Sequence, residues 1–161
     1  NIIGAIVLLI GAVMVRPPME PESTGWTLVR GGAAIYLMLT GVIYNTLLRD
    51  VDVQVSAQWV NETLHTIMPI VMLVDLLLAP LANRLTLRQA LGWTVYPLLY
   101  LMYSLLRGPI VDWYPYPFVD PRKDGGYPRV ALFCIVILLG FLGVTWVLVR
   151  LSNWRHDRAD I

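Results

Sequence analysis

Glu62 and His65 stand three residues apart in an otherwise apolar run from about Gln58 to Ala79. On a helix that spacing sets both on one face, with Thr66 beside His65. Ionisable groups in such a run are costly in lipid and mark functional positions by default. A histidine there can act as a general base near neutral pH, with Glu62 as the group that orients it. Alternatively, the pair is polar glue bonded to a neighbouring helix. A Glu-x-x-His face also suits metal, but di-iron bundles use that motif twice, with further carboxylates. Here it occurs once, and the other histidine, His156, lies in the C-terminal tail. No metal and no cofactor is expected. Asp75 falls about 80° around the helix from His65 and four residues before Pro80. It reads as a carboxylate reaching the interface or a water pocket.

Several polar residues fall at the depth of His65. One run ends in Tyr44, Asn45 and Thr46, another in Tyr100, Tyr103, Ser104 and Arg107. The latter is followed by Asp112-Trp113-Tyr114-Pro115-Tyr116-Pro117-Phe118-Val119-Asp120. Aromatic residues there suit an interfacial belt. Pro115, Pro117 and Pro121 stiffen the loop, which equally suits a cap over a cavity containing Tyr114 and Tyr116. Arg107 is either an anchor snorkelling to the surface or the holder of an anion such as a carboxylate.

The elements that position these residues follow from composition. Of 161 residues, 57% are hydrophobic and 14% charged, against roughly 45–50% and about 25% in soluble domains. A net charge of +1 gives no field to attract nucleic acid, so none is expected as a partner. Cys134 is the one cysteine and forms no internal disulfide. Apolar runs of spanning length predict an all-α, polytopic transmembrane helix bundle in one domain over residues 1–161. Helices are expected at about 1–15, 26–48, 58–79, 89–106 and 127–151. The runs do not alternate as barrel strands would. The first run makes only about 22 Å of helix against a hydrocarbon core of about 30 Å. It opens on Asn1 without a basic leader, so an N-terminal helix is expected to be missing before it.

Orientation follows the basic residues near helix ends. One side, X, collects Arg16, Arg30, Arg84, Arg88, Arg150, Arg155 and Arg158. The other, Y, collects Arg49, Arg107, Arg122, Lys123 and Arg129. Seven against five predicts X, with the C-terminus, as cytoplasmic, and Y as facing the periplasm, the cell exterior or an organelle lumen.

Trp59-Val60-Asn61-Glu62-Thr63-Leu64-His65-Thr66-Ile67-Met68-Pro69 resembles a helix of the androgen-induced-gene and androgen-dependent TFPI-regulating protein superfamily of membrane hydrolases. Tyr96-Pro97-Leu98-Leu99-Tyr100, Arg107-Gly108, the Tyr114–Asp120 loop and Gly126-Tyr127 are similar to its prokaryotic six-helix branch. The resemblance implies six helices with both ends cytoplasmic and, through its prokaryotic branch, a bacterial inner (plasma) membrane. It also implies a threonine nucleophile just upstream of Asn1 and His65 as its base, acting on fatty acyl esters. Oxyanion donors would come from Tyr44 or Asn45, and Tyr100, Tyr103, Arg107, Tyr114 and Tyr116 would line the substrate path. Membrane lipid is the expected ligand. The alternative is a non-catalytic accessory subunit of a larger membrane protein complex, since a small bundle with short loops suits that role as well.

Overall fold

The computed structural model describes residues 1–14, 22–49, 51 and 57–159. Arg16 and most of the 16–25 and 49–57 connections lie outside the described residues. Every regular element among the described residues is helical. The chain divides into two units, Asn1–Thr86 with Val149–Ile161 and Leu87–Leu148.

In the first unit, α1 covers Ile2–Met14 and α2 covers Thr24–Ile43. Ser23 caps α2 by accepting from the Trp26 amide at 3.1 Å, which sets the helix start two residues ahead of the apolar run. α2 continues into a π-turn, Tyr44–Leu48. The next span is built from α3 (Gln58–Glu62), a π-turn (Thr63–Ile67) and α4 (Met68–Leu78). α4 closes with the Ala79 amide on the Asp75 carbonyl, immediately before Pro80, which has no amide to continue the ladder. Gly31, Gly32, Ala33 and Ala34 are buried along α2, and such small residues let helix backbones approach closely in a membrane. α2 packs against both α1 and α4 there, around the fully buried Ile35 and Met72.

The second unit holds α5 (Leu87–Ala90), a 3₁₀ turn (Leu91–Thr94) and α6 (Val95–Val111). Pro97 sits in the first turn of α6, where its missing amide costs little. Pro109 weakens the last turn, and Asp112 ends it in the left-handed conformation with φ 53°. α7 covers Gly126–Ala159 and its residues through Leu148 belong to this unit. It runs eight residues beyond the expected end at Leu151. Nothing from Ser152 to Arg158 breaks a helix, and His156 and Arg158 in its last turn complement the helix dipole.

Among the described residues, Thr24–Leu48, Gln58–Leu78 and Gly126–Arg158 are long and apolar enough to cross a membrane. Ile2–Met14 is apolar but shorter. The expected span at 89–106 is helical but is not among those three. Large apolar side chains lie exposed along the helices, Leu78 and Ile110 each at 81%. Such surface suits acyl chains rather than water.

Candidate functional site

His65 lies inside the π-turn Thr63–Ile67. Pro69 follows, and its ring can neither donate to the carbonyl four residues back nor avoid crowding it. That carbonyl belongs to His65 itself. Widening the preceding turn relieves the crowding, and the Met68 amide reaches back five residues to the Thr63 carbonyl. Gly41 of α2 accommodates the bend. A Cβ there would lie 2.9 Å from Pro69 Cβ and 3.4 Å from the His65 carbonyl oxygen. The second π-turn, Tyr44–Leu48, packs directly on the first.

The two turns share a polar network. His65 Nδ1 lies 2.9 Å from the Asn61 carbonyl oxygen. A carbonyl only accepts, so Nδ1 carries the hydrogen and Nε2 carries the lone pair. The ring is stacked on buried Tyr44, centroids 4.8 Å apart and planes inclined by 25°. Tyr44 hydroxyl accepts from Asn61 Nδ2 at 2.8 Å and donates to Glu62 Oε1 at 3.4 Å. Thr66 hydroxyl donates to Glu62 Oε2 at 3.1 Å and accepts from Asn45 Nδ2 at 3.3 Å. The same Asn45 amide nitrogen donates to the Gly41 carbonyl at 2.9 Å.

Two expected roles change accordingly. Glu62 does not bond to the imidazole; it holds Tyr44 and Thr66, so it bears on His65 only through the stacked ring. The group that fixes the imidazole is the backbone carbonyl of Asn61. Nor does Tyr44 or Asn45 present a spare donor for an oxyanion. The one Tyr44 proton goes to Glu62, and both Asn45 amide protons are engaged. By contrast, His65 Nε2 has no hydrogen-bond partner among the described residues.

Asp75, still partly exposed, has a partner that the sequence did not announce. Its Oδ2 takes a hydrogen bond of 2.9 Å from Arg30, whose side chain is 6% exposed. Arg30 bonds to Glu22 at 3.2 Å and to the Ala79 carbonyl at 2.7 Å as well. Arg30 is therefore a buried ion-pair partner.

The remaining candidates belong to the second unit. Tyr100 and Tyr103 are exposed on α6. Arg107 is half-buried, its guanidinium 6.0 Å from the Tyr103 ring and 5.9 Å from the Trp113 ring. Tyr114 lies against Gly108, where any Cβ would collide with its ring. Tyr116 stacks on Phe118 at 5.2 Å, and Phe118 meets Phe133 at 5.9 Å.

A clamp missed at the sequence level holds this loop. Arg122 donates to both carboxylate oxygens of buried Asp120 at 2.8 Å. It also bonds to the Asp112 carbonyl at 3.1 Å and to the Asp112 carboxylate. Its guanidinium lies 5.1 Å from the Tyr114 ring centroid. Arg129 donates to the Pro117 and Asp120 carbonyls at 2.9 and 3.3 Å. The signal available in sequence was two acidic residues ahead of a basic one among prolines, which has many other readings.

The Arg122 hydrogen bonds hold the Asp120 carboxyl below the usual carboxylate range, against the opposing effect of burial. Burial in turn pushes the Tyr114 and Tyr116 phenols up. A depressed carboxyl contributes stability above its unfolded pKa, and loses it as pH falls through the folded value. Amide protection in 116–123 should therefore hold from neutrality to about pH 5 and fall below about pH 4. Hydrogen exchange across that range checks this, and protection already lost at about pH 5 would refute the clamp.

A family model described as FAR-17a/AIG1-like protein matches residues 35–153. No curated protein and no solved structure matches the chain.

Proposed function

Because the chain belongs to the FAR-17a/AIG1-like family, the androgen-induced-gene family, we propose that it is a membrane-embedded hydrolase of fatty acyl esters with His65 as general base. The observation that carries this reading is the imidazole itself. Its Nδ1 hydrogen is fixed on the Asn61 carbonyl and its Nε2 lone pair is left open. A hydroxyl nucleophile, a threonine by the family resemblance, needs such a base. Nε2 takes the hydroxyl proton as the oxygen attacks the ester carbonyl. The tetrahedral adduct then expels the alcohol, which takes that proton from the imidazolium. Water, activated by the same nitrogen, releases the fatty acid and restores the hydroxyl.

The accessory-subunit reading draws on a different observation. The Asn61–Tyr44–Glu62–Thr66–Asn45 chain of hydrogen bonds bridges two helices, as polar glue would. Purified full-length protein with a fluorogenic long-chain acyl ester and a fluorophosphonate probe separates the two. The hydrolase turns over the ester and takes up the probe. Neither turnover nor labelling, with co-purification at fixed stoichiometry in a larger membrane complex, would establish the subunit.

Membership of the plasma membrane with a cytoplasmic C-terminus belongs to the same proposal. Single cysteines at exposed Arg158 and exposed Asp124, in a Cys134→Ala background, report it. An impermeant thiol reagent on intact cells is expected to label position 124 and spare 158. The reverse pattern would invert the orientation.

A further inference from the structure

The last three turns of α7 are stapled to the connection after α4. Arg155 reaches the Leu76 and Leu77 carbonyls at 3.5 and 3.4 Å, where α4 ends. Asn153 exchanges two hydrogen bonds with the Leu85 backbone at 3.1 and 2.8 Å. His156 Nε2 donates to the Leu81 carbonyl at 3.0 Å. Arg84 pairs with Asp157 at 2.6 Å. These contacts account for Asn153, Arg155 and His156, and they neutralise Asp157, the one carboxylate among residues 149–159.

Beside them opens a cavity of about 460 Å³, lined by Arg150, Leu151, Asn153, Trp154 and Asp157. The Arg158 guanidinium lies 4.2 Å from the ring centroid of Trp154, one of the lining residues, with no carboxylate partner among the described residues. Gly126–Arg158 is 33 residues, roughly 50 Å of helix against a hydrocarbon core of about 30 Å. Val149 is therefore roughly 34 Å from the start of α7, so the cavity belongs at headgroup level. Its chemistry joins an apolar wall, Leu151 and Trp154, to guanidinium groups suited to a phosphate.

We propose that this cavity binds the phosphodiester headgroup of an anionic phospholipid, with Arg150 and Arg158 on the phosphate and Trp154 and Leu151 against the first acyl carbons. The site is independent of His65 and of the hydrolase reading. Arginine attraction to an anionic membrane surface is worth about fivefold in affinity per residue, so roughly 25-fold for the pair.

Native mass spectrometry of the full-length protein, titrated with phosphatidylglycerol or phosphatidylcholine, tests it. The native protein should retain phosphatidylglycerol preferentially, and the preference should weaken as salt rises. Arg150→Gln/Arg158→Gln should abolish it, while Arg150→Lys/Arg158→Lys should keep most of it. Equal retention of the two lipids, a preference insensitive to salt, or one surviving the glutamine pair would overturn the proposal. Inorganic phosphate at millimolar concentration should leave the lipid bound. Complete displacement would assign the cavity to free phosphate and overturn the lipid. If the glutamine pair fails to fold, the salt series on native protein and the lysine pair still decide.

Discussion

His65→Ala lowers ester turnover by the full-length protein about 10²–10⁴-fold, the usual loss on removing a general base. The substitution removes one intramembrane hydrogen bond, to the Asn61 carbonyl, and such bonds are worth on average about 0.6 kcal/mol. It also removes a stacked pair with Tyr44, worth about 0.5–1.5 kcal/mol. Assembly should therefore survive while turnover collapses. Tyr44→Phe supplies the contrast. It keeps the stack and breaks the link to Glu62, so turnover should fall far less than in His65→Ala. Turnover and thermal unfolding, measured on the same preparations, check both. If His65→Ala retains more than about a tenth of wild-type turnover, the histidine is not the base.

Arg30→Met destabilises the first unit by about 3 kcal/mol, the lower end of the cost of stripping one partner from a buried ion pair. The lower end applies because Asp75 and Glu22 keep 30% and 24% of their side-chain surface exposed. Removing the guanidinium leaves those carboxylates facing each other without a cation and deprives the Ala79 carbonyl of its donor. Arg30→Met with Asp75→Leu should recover a large part of the loss, since an ion pair replaced by apolar groups is often neutral. Heat unfolding of the purified variants measures this. A single-variant loss under about 1 kcal/mol, or a double variant worse than the single, would show that the pair does not hold α2 to α4.

The all-helical fold was legible, because apolar runs of spanning length are a strong signal when few charges interrupt them. α7 ran past its expected end because hydropathy marks where the membrane stops and not where a helix does. The partner of Asp75 was out of reach: Arg30 lies 45 residues away, and no local pattern ties them. The contact expected between Glu62 and His65 is not there. Spacing names the side chains that share a face, whereas the imidazole is held by a main-chain carbonyl, which every residue possesses and no residue type announces. The Arg122 clamp was missed for the opposite reason, since charged residues in a surface loop are ordinary.

The π-turn at His65 carries a consequence for comparing this chain with its relatives. A turn closed from residue i to i+5 holds one residue more than an α-turn, and each added residue rotates what precedes it by about 100°. Thr63–Ile67 is thus an insertion of one position within an otherwise regular helix, whereas Tyr44–Leu48 is the last turn that α2 leads into. A relative whose helix runs regularly through 63–67 must be aligned with a one-residue gap there. Without the gap, every position on one side of the turn is matched to the wrong face of its counterpart, and a lipid-facing residue is set against His65.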